Sequence, residues 1–340
     1  MGTYKIIFSG RLEFGTERSF SQVLKFYLHR FENYYRKDIL LKAEDIFDEP
    51  TYSLNVPRHI TEGVEKSWRN TVNLIEYMAE FAIAGDFRAW MTENGKMIQE
   101  RFIEPAGDKA ATQAFLKGRA LVEKGEQDKA KEMMDQAIEK FERHALAYER
   151  RGKINYSLKN FKDALYDFSK SIDIYPDNPG AYVGRAAVKM VLGDFKAAAQ
   201  DLDLGIKSSI PHQPIFWQAR RMKGECHLRL NEFAEAIREL KMVTNRPFSA
   251  NDPNFEWQKA AFSNYGKALL EAGEYAESVK AFDKAITIFQ DPRFAGQDAE
   301  ALVLRGIARQ KAGEAGFVSD WKEAAGMGSE RAAHLLQSLS

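Results

Sequence analysis

Six histidines, one cysteine and a short run of carboxylates are the side chains of this 340-residue chain that acid–base, nucleophilic or metal chemistry would draw on. His29, His59, His144, His212, His227 and His334 are dispersed, with no metal-ligand spacing among them. His59 beside Arg58 precedes a helix-forming stretch and reads as a solvated or capping side chain rather than a pocket wall. Glu44-Asp45 and Asp48-Glu49 cluster just before Pro50. A metal or a transferred proton would need more ligands and convergent geometry there, so the cluster reads as an exposed turn. Ser67, Asn70 and Asn73 share one helix with Trp68 and Arg69 and read as a solvated face rather than the lining of a polar pocket. Cys226 stands alone, which excludes a disulfide framework and fits a small buried filler. P-loop, G-x-G-x-x-G, G-x-S-x-G and H-E-x-x-H motifs are missing from the sequence. We therefore expect no cofactor, no metal and no catalysis, with residues 1–107 the place where an enzyme or small-ligand site would otherwise sit.

The charge balance narrows the partners. Lys plus Arg equals Asp plus Glu, 49 each, and residues 1–105 alone hold 14 basic and 16 acidic side chains. Nucleic acid and anionic membranes both call for a basic face, so neither is expected as the main partner. The opening MGTYKIIFSGRLEF lacks the basic start and apolar run of a signal peptide, and Ile6 stands where a myristoylation motif has Ser or Thr. No apolar run approaches the about 20 residues that span a bilayer. A cytoplasmic protein is the expectation.

Residues 1–107 do not repeat and read as a small α+β domain. Tyr4 to Ser9 is a strand, rich in β-branched and aromatic residues. Ser19 and Gln22 form a capping box opening a helix whose apolar face is Phe20, Val23, Leu24, Tyr27, Leu28 and Phe31. Ile39 to Phe47 and Tyr52 to Val56 are candidate strands. Val64, Trp68, Val72, Ile75, Met78, Ala79 and Ala82 line a second long helix. Asn94-Gly95 between two apolar runs signals a tight antiparallel hairpin. Pro105-Ala106-Gly107-Asp108 then reads as a linker.

Beyond it the pattern recurs. A small residue inside an apolar helix is followed twelve residues later by another: Gly118 and Ala130, Gly152 and Ala164, Ala186 and Ala198, Gly224 and Ala236, Gly266 and Ser278. Gly306 begins a sixth, degraded copy. The first two spacings, from 118 to 152 and from 152 to 186, are both 34 residues. A second small position follows at Ala137, Ser171, Gly205 and Ala285. Aromatics recur at Tyr148, Phe161, Phe168, Tyr182, Phe195, Phe233, Tyr275 and Phe282, and helix ends are marked by Gly125, Pro176, Gly193 and Gly273. Residues 111–340 thereby resemble the tetratricopeptide repeat family. The resemblance implies an all-α superhelical solenoid of about six helix pairs over 111–144, 145–178, 179–212, 217–250, 259–292 and 299–338. The last unit, DWKEAAGMGSERAAHLLQSL, is similar to the related Sel1-type repeat and to a capping helix. Later spacings lengthen to 38, 42 and 40 residues, around SSIPHQPIFW, TNRPFSANDPNFEW and FQDPRFAGQDAEA. These are either insertions able to carry function or longer first helices.

In that family the first helix of each pair lines the binding groove. Its groove positions fall here on Phe115, Arg119, Glu149, Lys153, Tyr156, Val183, Ala187, Met190, Arg221, Glu225, Leu228, Ser263 and Lys267. One subclass holds chaperone C-terminal carboxylates with a Lys, Asn, Asn, Lys, Arg clamp. Phe115 and Arg119 occupy its first Lys and Asn places, so that mode is not expected. Arg151, Arg185 and Arg305 precede the repeat's small residue and are expected to meet neighbouring carboxylates rather than form an anion ladder. The resemblance implies a protein-interaction scaffold binding a peptide or partner helix. Two alternatives stay open: a ligand sensor or enzyme in residues 1–107 with the repeats recruiting its target, and a structural protein that self-associates.

Overall fold

The structure, a computed structural model, describes residues 2–288 and 295–339. Two compact units emerge: residues 1–188 with 207–209, and residues 189–206 with 210–340.

The first unit opens with β1 (Tyr4–Glu13), α1 (Glu17–His29), the one-turn α2 (Ala43–Ile46), β2 (Phe47–Asp48), β3 (Ser53–Gly63), α3 (Glu65–Ala79), β4 (Ala84–Glu93) and β5 (Lys96–Ile103). The five strands form one antiparallel sheet in the order β2-β3-β1-β4-β5. Asn94 and Gly95 take positive φ in the two-residue turn between β4 and β5, as an Asn-Gly hairpin requires. One sheet face, carrying Ile6, Phe8, Leu12, Leu54, Phe87 and Met91, packs against Phe20, Val23 and Tyr27 of α1 and Trp68, Val72 and Ile75 of α3.

Four local expectations need correction. The first helix is capped by Thr16, whose hydroxyl accepts from Ser19 N at 3.2 Å, so it begins three residues before the Ser19–Gln22 box would place it. Residues 39–46 do not form a strand, and only Phe47 enters one, at the start of β2. Ile39, Leu41, Ala43 and Ile46 all turn into the core, and side chains satisfy the backbone in place of a neighbouring strand. Leu40 N donates to Thr71 Oγ1 at 2.9 Å, and the Tyr27 hydroxyl donates to Leu41 O at 2.7 Å. β3 runs on through Pro57 to Gly63, with a register shift between Phe8 and Gly10 of β1 absorbing the proline that cannot donate; His59 is an exposed strand residue there. Ser67 and Asn70 neither face solvent nor line a pocket. Ser67 Oγ donates to the Asp38 carboxylate, and Asn70 Nδ2 reaches Asp38 Oδ2 at 3.1 Å, pinning the loop before α2.

The repeats follow as helix pairs. The first unit holds α4 (Ala110–Glu123) with α5 (Gln127–Lys140), α6 (Ala145–Ser157) with α7 (Phe161–Ile174), and most of α8 (Pro179–Val191). The second holds α9 (Phe195–Lys207, its last residue excepted), α10 (Pro214–Arg229) with α11 (Phe233–Thr244), α12 (Gln258–Glu271) with α13 (Tyr275–Thr287), and α14 (Ala295–Ala312) with α15 (Phe317–Gly326) and α16 (Glu330–Gln337). An α+β domain with a five-stranded antiparallel sheet is thus followed by paired helices. The recurring small residue has a steric cause. A β-carbon on Gly152 would lie 3.0 Å from the Phe168 ring, and one on Gly224 would lie 2.6 Å from Leu240. The large side chain sixteen residues on therefore seats against the first helix of its own pair. Gly306 does the same for Trp321, fifteen residues on, where the sequence pattern had faded.

The lengthened spacings resolve differently. α10 has 16 residues against 13 in α8, so part of the first is added helix. The second is a true insertion of residues 245–257, ending in a short 3-10 turn (Phe255–Trp257). Of the third, residues 289–294 lie outside the described residues.

Candidate functional site

The groove positions of the first unit meet the chain's own N-terminal domain. On α4, Thr112 Oγ1 donates to Ile83 O at 2.8 Å. Phe115, expected to face a groove, is buried against His144, their ring centroids 4.8 Å apart, in a crevice shared with Ile83, Ala84, Gly85, Glu104 and Pro105. Arg119 grips Glu104 with both terminal nitrogens, at 2.5 and 2.8 Å. Further along, Arg143 lies 3.7 Å from Glu13, the buried Tyr175 hydroxyl faces Ser9, and Arg58 Nη1 donates to Ser209 O at 3.0 Å. The second face of the sheet supplies this interface. Ile7, Arg11, Glu13 and Trp90 alternate with the core residues along β1 and β4, yet each is at most 5% exposed. A sheet with only one face packed would leave them in water.

Burying polar side chains here shifts their ionisation. Asp86 stands opposite Arg11 in the β1–β4 register. Burial pushes its carboxyl up to about 6, against Arg88 and Arg150, while Glu149 and Glu104 add to the rise. Glu149 on α6 is buried too. There the charges of Lys153 and Arg150, with hydrogen bonds from Lys153 and Asn178 Nδ2 (2.9 Å for the latter), outweigh burial and hold it at about 2. Glu13 is raised by burial despite Arg11 and Arg143. His144 is driven down to about 3 by burial, so it is neutral and its Nδ1 accepts from Ala147 N at 3.3 Å. Of the remaining first-unit positions, Tyr156 packs on Phe161 at 6.0 Å, Val183 is buried and Ala187 half-buried.

The remaining groove positions belong to the second unit. Met190 is half-buried and Leu228 packs with Leu240 and Ala268. Lys267 is exposed and Ser263 half-buried, and among the described residues neither has an ion pair or side-chain hydrogen bond. Arg221 is buried, with its guanidinium 4.3 Å from the Trp257 ring centroid and 4.0 Å from the half-exposed Glu225 carboxylate. Trp257 was not among the sequence candidates. Neither was Arg246, which stands over Trp217 at 4.7 Å and Phe248 at 5.7 Å. Both lie in the inserted segment, where a repeat pattern offers no position to compare. Tyr175 and Thr112 escaped as well, the first because it sits at a helix end and the second because it lies three residues ahead of Phe115.

The basic residues before Gly152, Gly224 and Gly306 behave as structure. Arg151 joins Asp167 at 2.6 Å to Asp135 at 2.6 Å; Lys223 joins Glu239 at 3.0 Å to Asp203 at 2.6 Å; Arg305 joins Asp320 at 2.6 Å to Asp283 at 2.8 Å. Each stitches the second helices of consecutive pairs together.

Comparison with known proteins agrees with this architecture. The family described as Tetratricopeptide repeat matches residues 115–179 and 184–250, and a second pattern of the same description matches 260–292. DnaJ homolog subfamily C member 7 of Mus musculus is 27% identical over 169 residues, covering 48% of this chain and 33% of that protein. DnaJ homolog subfamily C member 3 of Rattus norvegicus is 33% identical over 134 residues, 39% of this chain and 25% of that protein. The chain thus spans about a third or less of these relatives. Among solved structures, pilF of Pseudomonas aeruginosa superposes with a TM-score of 0.54 at 15% identity, covering 68% of this chain and 99% of that one. YrrB, described as a TPR protein with an unusual peptide-binding site, gives 0.50 at 18% identity over 60% of this chain and 97% of its own. The helix pairs across residues 115–292 are tetratricopeptide repeats.

Proposed function

We propose that the chain is a cytoplasmic protein-interaction scaffold without catalysis of its own, which takes a peptide segment or partner helix on the first-helix face of its repeats. One observation carries this reading. The same face, in the first unit, already holds a polypeptide surface: the N-terminal sheet sits on Thr112, Phe115, Arg119 and Tyr175 through a hydrogen bond, an ion-paired fork and apolar contact. The mixture of side chains is therefore suited to binding protein. Glu225, Ser263 and Lys267 of the second unit offer the same kind of mixture, with Leu228 beneath it. The buried Ala324 and Ala332 beside Trp321 support the Sel1-like reading of the terminal unit.

The test is affinity capture from native lysate with the full-length protein beside a Ser263→Arg/Lys267→Glu variant. A partner held by the parent and lost by the variant, with helical circular dichroism unchanged, supports the reading. Equal capture by both moves the site off this face.

A further inference from the structure

Arg221 departs from the pattern set by the ion-paired cations of the array. Arg151, Lys223 and Arg305 each lie within 3.0 Å of two carboxylates. Arg220 has Glu239 at 2.5 Å. Arg221, only 8% exposed, has its nearest carboxylate at 4.0 Å among the described residues, beyond hydrogen-bond distance, and its Nε has no hydrogen-bond partner among them. A guanidinium stays charged at any pH a cell reaches, and the half-exposed Glu225 carboxylate at 4.0 Å compensates that buried charge only weakly. The same crevice holds a second guanidinium, half-buried. Arg246 is fixed between Trp217 and Phe248, its Nε has no partner, and no ion pair reaches it among the described residues.

The insertion builds this crevice. Phe248 anchors it in the core with Phe216, Trp217, Val243 and Ala261. Asn254 Nδ2 donates to Pro214 O at 3.0 Å, tying the loop to the start of α10. Trp257 then covers one face of Arg221 while remaining 48% exposed itself, with Phe255 nearby in sequence at 44%. The stacked ring leaves the N–H edge of the guanidinium as the polar surface available, and that edge matches a planar carboxylate. The crevice encloses about 10 Å³, room for a group little larger than one water, so it admits the tip of a single side chain rather than a length of main chain. Exposed aromatics at the rim are the anchors that partner chains use.

We propose that the crevice of Arg221, Arg246 and Trp257 receives one aspartate or glutamate side chain of an extended peptide whose apolar neighbours lie on Trp257. The assignment rests on the scaffold reading and gives it a ligand chemistry. Excess positive charge decides the sign of the ligand, and the aromatic rim decides its flanks.

A random-peptide display library panned on the full-length protein tests it, with Arg221→Gln and Arg246→Gln panned in parallel and their helical circular dichroism checked. The expected result is a set of peptides with Asp or Glu at one fixed position beside an apolar residue, a preference that both variants lose. A synthetic copy with that residue changed to its amide should bind about 30-fold more weakly or worse. Peptides with no acidic preference, or with a preference that both folded variants keep, overturn the inference and leave the scaffold reading standing. A phosphoserine copy binding more tightly than the parent overturns the carboxylate in favour of phosphate. No peptide selected by the parent protein removes the scaffold reading and the inference together.

Discussion

Reversing Glu104 should loosen the N-terminal domain from the repeats, and reversing Arg119 as well should restore it. The two groups form a forked pair at 2.5 and 2.8 Å, with side chains 25% and 31% exposed. A hydrogen bond between charged groups is worth about 1.5–3 kcal/mol when sheltered, and partial exposure brings the whole fork to about 2 kcal/mol. Glu104→Arg deletes the fork and sets two guanidinium groups side by side. Both retain a path to water, so the added repulsion stays near 1 kcal/mol in a surface-like dielectric. The sum is about 3 kcal/mol. For a unit of this size each kcal/mol moves the midpoint by about 2–4 °C, so a fall of about 6–12 °C is expected in the transition that includes the N-terminal domain. Scanning calorimetry measures it, with limited proteolysis at Pro105–Lys109 as a second readout of separation. Arg119→Glu alone should fall similarly, and Glu104→Arg/Arg119→Glu should return to within about 1 kcal/mol of the parent. A double variant no better than either single one would mean that the pair does not hold the sheet on the repeats.

Three further outcomes follow from buried groups. Asp86 has an ordinary carboxyl value of 3.8 and one of about 6 when folded, so the folded state binds the extra proton between those values and loses that advantage as pH rises through about 6. Asp86→Asn should therefore raise stability at pH 7 by up to about 3 kcal/mol and leave it unchanged at pH 3, and equal gains at both pH values in urea titrations would contradict the assignment. Gly184→Ala places a β-carbon 2.3 Å from the fully buried Phe168 ring, and should cost about 1–3 kcal/mol, with Phe168→Leu in the same chain recovering part of it in denaturant melts. Cys226 is buried and its thiol is pushed up to about 12, so Ellman's reagent at pH 8 should label it only on unfolding; fast labelling of native protein would show that it is accessible.

What the sequence made legible was whatever repeats or obeys a local period. The small residue at 118, 152, 186, 224 and 266 announced helix pairs because a close crossing there leaves room for nothing larger than glycine or alanine, and Asn94-Gly95 announced its hairpin because that turn demands positive φ twice. Thr16 was passed over as a cap because Ser19 and Gln22 offered a second, equally valid box. Residues 39–46 misled because alternating burial ahead of the two-residue β2 mimics a longer strand. The site was harder to see. That Arg119 belongs to Glu104 and Tyr175 to Ser9 depends on which surface lies across from them, and no one-dimensional pattern carries that information. Arg246 and Trp257 sit in an insertion whose shape is set by the Phe248 anchor, so neither period nor repeat register could single them out.

The N-terminal domain alters what the repeats can bind, through tethering. The connection between β5 and α4 runs only from Glu104 to Lys109, and a short tether confines a surface near its receptor at millimolar effective concentration. Contacts individually as weak as the Thr112–Ile83 hydrogen bond and the Arg119–Glu104 fork then suffice to keep the sheet docked. A free peptide aiming at Phe115 or Arg119 would have to displace the whole domain and expose Ile7 and Trp90 to water as it did so. In the first unit those groove residues therefore act as a socket, which accounts for charged side chains such as Arg11 and Glu13 being kept on a sheet face with no solvent to wet it. Among the described residues, Arg221, with its nearest carboxylate at 4.0 Å and an unpartnered Nε, keeps more unmatched positive charge than Arg151, Lys223 or Arg305.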